Sequence, residues 1–254
     1  MRTTRSRRRA VGFTAMALGV AGLAGLALVA GYYAAPDTAL GTAADISNAV
    51  QAWVAGVLVW VAIAATPRGR TPARLVWAGL ATAGVAIAVL GSLLIITDSS
   101  GWVRAALVHI LGWSLVAPWL AAWCRRTPDP MPMTPWQRDA GTVVAVLLGA
   151  GVLGIRDVLA GTDPDALGGL PGAGLGWPAL LSITVGGLAF QIALPAWATW
   201  WGVTLLRARG RAGDPEVHHH RLRASRNGAT RAARVDRRER APTRRWRSWD
   251  GRAG

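Results

Sequence analysis

Apolar residues in this chain fall in long unbroken blocks, not in the alternating or 3.6-residue stripes of a soluble fold. A helix rises about 1.5 Å per residue, so about 20 mainly apolar residues are needed to cross the hydrocarbon core of a bilayer. Six blocks reach that length, at 11–33, 46–66, 75–97, 103–123, 140–160 and 178–206, each bounded by Pro, Gly, Asp or Arg. The pattern predicts an all-α integral membrane protein. Six transmembrane helices would form one bundle over 11–206, with a basic leader at 1–10 and an Arg-rich tail at 207–254.

Charge gives the spans a direction. Of 254 residues, 28 are basic and 13 acidic, and every basic residue is Arg. Arg crowds the leader MRTTRSRRRA, the connection PRGRTPAR (67–74), the segment around Cys124, Arg125 and Arg126, and everything after Leu206. The alternate connections carry Asp instead: Asp37 and Asp45, then Asp98, then Asp163 and Asp165. Short basic connections stay on the side of synthesis, which predicts cytoplasmic N- and C-termini. The absence of Lys amid abundant Ala and Gly reads as the coding bias of a GC-rich genome, so the expected location is a bacterial plasma membrane. The first span exceeds the roughly 7–15 apolar residues of a cleaved signal peptide and is read as retained.

Depth then sorts the polar residues. Arg156 and Asp157, in GIRDVLA, sit about 5–6 Å inside the outer end of the fifth span at that helical rise. Arg104 opens the fourth span at the same level, Asn48 and Gln51 share a face of the second, and His109 lies deeper in the fourth. Asp45 and Asp98 rim this layer. The inner half has only Ser114, Thr142, Thr199 and an isolated Gln191. A shallow polar basin open to the outside, above a sealed inner half, is the expected result. Two roles compete for it. The preferred one is a structural clasp of Asp157 on Arg104, with Arg156 snorkelling to lipid phosphates. The other is a binding vestibule in which His109 titrates and Asp157 is the ionic partner.

Packing signals are coarser. Small residues four apart, as in Ala17, Ala21 and Gly25 or Gly84 and Ala88, predict close helix approach. Trp102, Trp119, Trp123, Trp136, Trp177, Trp200 and Trp201 fall near the expected interfaces, whereas Trp53, Trp60, Trp113 and Trp197 lie deeper and are read as packing residues. VAPWLAAW (116–123) resembles ALPAWATW (193–200), which is read as two similar helix ends.

Several chemistries lack their residues. His109 is the only intramembrane histidine, so a bis-histidine haem has no second ligand. One cysteine, Cys124, allows neither an intrachain disulfide nor a CxxC pair. HExxH, GxxxxGK[ST] and GxSxG are all missing, and the Gly-rich 168–176 stretch has no strand-to-helix setting. No cofactor and no metal is expected, the His218–His220 run included, and an enzyme is disfavoured.

The tail has too few aliphatic residues for a core and is expected to be disordered. Its natural partner is the anionic inner leaflet, with Arg244, Arg245 and Arg247 gaining about 1 kcal/mol each and Trp246 and Trp249 inserting at headgroup level. Nucleic acid is the weaker candidate because the tail is tethered beside lipid. These features predict a non-catalytic envelope protein with a structural or interaction role, as a monomer or a homo-oligomer. The alternative is a small-solute transporter or channel using the outer basin.

Overall fold

The computed structural model describes residues 2–35, 37–66, 71–126, 131, 133–155 and 176–212, with side chains for those between 6 and 208. Five long helices stand out: α1 (Arg2–Ala34), α2 (Thr38–Ala65), α3 (Pro72–Ile96), α4 (Trp102–Arg125) and α5 (Pro135–Gly149). α5 tightens into a 3₁₀ stretch at Ala150–Gly154. The last helix, α6, is composite: α-helical Trp177–Leu181, π-helical Ser182–Gly186 and Ala189–Ala193, then α-helical Leu194–Ala212. No strand occurs among the described residues. The chain divides into two compact units, Met1–Arg207 and Ala208–Gly254, and only the end of α6 belongs to the described part of the second.

Five described segments are long and apolar enough to cross a membrane: Ser6–Ala34, Thr38–Ala65, Pro72–Ile96, Trp102–Arg125 and Trp177–Ala208. They match the predicted first four spans and the sixth. α5 and its 3₁₀ extension supply the start of the predicted fifth, whose remaining residues, 156–160, lie outside the described residues. The tail residues Arg244, Arg245, Trp246, Arg247 and Trp249, expected to contact lipid, lie outside them too. Large apolar side chains cover the outer surface, with Val20, Val76, Val146 and Leu188 each more than half exposed. Such a surface suits acyl chains, since a helix that is apolar all round needs an apolar solvent.

Glycine sets the helix contacts. A Cβ on Gly84 would stand 2.5 Å from the Gly112 carbonyl oxygen, and one on Gly91 would stand 2.5 Å from the His109 backbone nitrogen. α3 and α4 therefore meet backbone to backbone, along the Gly84–Ala88 face that the spacing predicts. On α1 the expected seam holds in part: Gly25 is buried against Ser47 and Asn48 of α2, and the Ser47 hydroxyl donates to the Ala21 carbonyl, but Ala17 is exposed. A second buried line runs through Gly12, Ala15, Gly19 and Gly22, the three glycines meeting Gly202, Thr199 and Pro195 of α6 in turn.

α5 is pinned at its start by sequence-local chemistry. In TPWQ (134–137) the Thr134 hydroxyl accepts the Gln137 N–H at 3.2 Å, while Gln137 Oε1 accepts the Thr134 N–H at 3.0 Å. Gln137 then reaches α6, where its Nε2 donates to Thr204 Oγ1 at 2.8 Å, and the Trp197 indole donates to the Gln137 carbonyl at 2.9 Å.

Tryptophan placement corrects the depth-based expectation. Trp119, Trp123 and Trp201, expected at an interface, are buried, and with Trp197 they form a continuous aromatic cluster. Trp53 and Trp60, expected to pack inside, are 63% and 46% exposed on the outer surface. Rotation about the helix axis decides burial here, and depth does not report it. Trp102, Trp136, Trp177 and Trp200 remain exposed. The two similar octapeptides carry Trp119, Trp123 and Trp197 of the cluster, so their likeness has a shared packing role.

Candidate functional site

Successive helices run antiparallel, which gathers the C-terminal parts of α1 and α3 with the N-terminal parts of α2, α4 and α6 at one end of the bundle. A pocket of about 560 Å³ lies among these five segments. Tyr32, Tyr33, Asp98 and Trp102 stand at its exposed edge, Asp45 is half-buried in its wall, and Asn48, His109, Phe190 and Gln191 line its inner part. The opposite end carries Arg74, Arg125, Arg126 and Arg138, so the two ends are termed acidic and arginine ends below.

The pocket's inner wall follows from the composite helix. In the second π stretch the Leu194 N–H bonds to the Ala189 carbonyl, one residue beyond the α register. The next donor in that register would be Pro195, which has no N–H. The Phe190 carbonyl is thus left without a helical donor, and Gln51 fills the vacancy from α2, its Nε2 donating at 2.6 Å. Gln51 is fully buried, behind the pocket wall and not on it. One residue on, Gln191 Nε2 donates to Asn48 Oδ1 at 2.8 Å. Gln191 is therefore neither isolated nor part of the sealed half: the α6 register turns it onto the polar face of α2.

His109 is held from three sides. The Trp113 indole N–H donates to its Nε2 at 3.0 Å, and since an indole can only donate, that nitrogen carries no proton. Its Nδ1 lies 2.8 Å from the Ala88 carbonyl oxygen, which only accepts, so the proton sits on Nδ1, with Ser92 Oγ at 3.1 Å sharing it. The ring is a neutral imidazole with both nitrogens engaged. It ties α4 to α3 at the Gly91 crossing, and Phe190 packs edge-on against it, ring centroids 4.8 Å apart. Trp113 stacks on Phe190 at 5.8 Å and lies 6.3 Å from the His109 ring, so the three rings pack mutually.

Of the residues expected in the outer polar layer, Asn48 and His109 line the pocket and Gln51 supports it from behind. Arg104 is exposed and does not line it. Arg156 and Asp157 lie outside the described residues, and with them the clasp to Arg104. Sequence reasoning missed Tyr32, Tyr33, Ser92 and Phe190. Pro195 signals a helical carbonyl without a donor, but in α register that carbonyl belongs to Gln191, and only the π register moves it to Phe190.

Compared with known proteins, the chain matches no family model, and no curated protein or solved structure is significantly similar to it.

Proposed function

We propose that this chain is a multi-pass protein of a bacterial plasma membrane that binds a small solute from outside the cell, with the acidic-end pocket as an outward-facing transporter site. The observation that carries the reading is a cavity of about 560 Å³ with aromatic, carboxylate and amide side chains on its wall, larger than the cleft of about 240 Å³ at the arginine end. Its size falls within the range of about 300–1,000 Å³ typical of small-molecule sites. The interrupted helix adds support, because π segments concentrate where a helix carries function. Beneath the pocket, Trp113 and Phe190 followed by the Trp119, Trp123, Trp197 and Trp201 cluster fill the bundle, which favours a gated carrier over an open channel.

Direction rests on charge: the arginine end faces the cytoplasm and the acidic end the exterior. The Arg-rich tail then lies beside the inner leaflet, where Arg244, Arg245, Arg247, Trp246 and Trp249 anchor it to anionic phospholipid. The competing reading, a scaffold acting only by packing, draws on the same tight arginine end. Cysteine labelling separates them. Thr42→Cys in the pocket should react with a membrane-impermeant maleimide added to intact cells, whereas the buried Cys124 gives a low background. A Thr42→Cys chain that reacts only after the membrane is opened reverses the orientation, and one that never reacts returns the protein to the scaffold reading.

A further inference from the structure

We propose that the solute bound in this pocket is a small organic cation, an ammonium group carried on an aromatic or aliphatic body; the inference rests on the pocket reading above and names its substrate class. Charge is the first argument. In a chain with 28 basic and 13 acidic residues, the described pocket lining contains two carboxylates, Asp45 and Asp98, and no arginine. Arg104, only two residues after the lining residue Trp102, is exposed and off the wall. The local charge thus opposes the net charge of the chain, and a low-dielectric wall strengthens its pull on a cation.

Aromatic faces are the second. Tyr32 and Tyr33 pack edge to face with centroids 5.5 Å apart, and both line the pocket with Trp102. Tyr and Trp rings attract ammonium groups through their negative faces. Hydrogen-bond capacity is the third. The one imidazole proton of His109 is committed to Ala88 and Ser92 and is not offered to an anion. An ammonium brings only donors, which suits two carboxylates; an anion would meet the same groups as repulsion. A bare metal ion fits poorly, because a cavity of about 560 Å³ far exceeds an ion and no group of three or more His, Cys, Asp or Glu converges among the described residues.

The test uses the full chain in nanodiscs of zwitterionic phospholipid, titrated calorimetrically with 2-phenylethylammonium, the neutral 2-phenylethanol and the anionic 3-phenylpropionate. The ammonium should bind tightest and the carboxylate weakest. Asp45→Asn should weaken ammonium binding by about tenfold and leave the alcohol within about twofold, with Asp98→Asn giving a smaller loss in the same direction. An alcohol that binds as tightly as the ammonium, a carboxylate that binds tighter, an Asp45→Asn chain with unchanged ammonium affinity, or no binding of any probe overturns the proposal. Labelling of Thr42→Cys in the same nanodiscs separates the failures. A reactive Thr42→Cys without ammonium preference removes the charge assignment alone, and an unreactive one removes the pocket reading with it.

Discussion

The two ends of this bundle are built from the same helices and solve opposite problems. At the arginine end, four indoles interlock with centroid separations of 5.3–6.2 Å, and buried Gln137 spends its side chain on three hydrogen bonds, one capping the start of α5 and two fastening α5 to α6. At the acidic end a composite helix borders a cavity lined by Asp45, Asn48, His109 and Gln191. Even the packed end is not perfectly satisfied: Trp201 Nε1 is buried without a partner, a cost that its two ring contacts offset. Inside a membrane, filling space is the default outcome, because lipid gives helices no hydrophobic reason to associate and close packing must supply the attraction. The arginine end keeps a cleft of about 240 Å³ lined by Arg74 and Arg126, but the acidic-end cavity of about 560 Å³, with Asp45 and Asp98 on its wall, is larger and is the feature that asks for a ligand.

The comparison breaks most severely at the seam beneath the pocket. Gly91→Val places new carbon within 2.5 Å of the His109 backbone nitrogen, with no flexible side chain to move aside. α3 should separate from α4, at a cost of at least about 3 kcal/mol, and thermal unfolding in mild detergent should find little folded protein. Next comes the arginine end. Gln137→Ala removes half of a capping box together with the bridge to Thr204 and should cost about 2–3 kcal/mol by the same measurement. A loss below about 0.5 kcal/mol would mean that the aromatic cluster alone holds this end together.

What could be read in advance divides along the same line. The positions of the first four spans and the sixth were legible, as was the alternation of Arg with Asp, because length and charge are properties of composition along the chain. Asn48 and His109 were legible for the same reason: a polar residue within an apolar block stands out wherever its helix faces. Facing was not legible. In a soluble helix the polar side marks the outside, but here Trp53 on the lipid surface and Trp123 in the core are the same residue type in similar company. The α1 seam was legible only in part by that route: Ala21 and Gly25 meet α2, but Ala17 turns outward, and Ala17 and Gly19 look alike until a neighbour is known. Gln191 was misread because its helix departs from 3.6 residues per turn, and nothing in an Ala- and Gly-rich sequence marks that departure except Pro195.

Trp113→Phe sharpens the boundary between the halves. The ring stack on Phe190 survives, but His109 Nε2 loses its donor and is left buried with an empty acceptor. A cost of about 1–2 kcal/mol in thermal unfolding is expected, smaller than at either helix seam. Trp113→Leu would add the loss of stacking, so a difference between the two variants apportions the floor between hydrogen bonding and packing.

The smallest effect on stability should come from the residue with the most to do. Asp45 is half-buried on the pocket wall and forms no salt bridge among the described residues, so Asp45→Asn removes a charge without opening a void or orphaning a partner. Substitutions of that kind usually fall within about 0.5 kcal/mol, and unfolding should move little or toward greater stability. Set beside Gln137→Ala, the contrast becomes quantitative: one polar side chain holds the fold and binds nothing, the other binds and holds nothing. If Asp45→Asn instead destabilises the chain by as much as Gln137→Ala, the carboxylate is a structural tie and the acidic end is no more a receptacle than the arginine end.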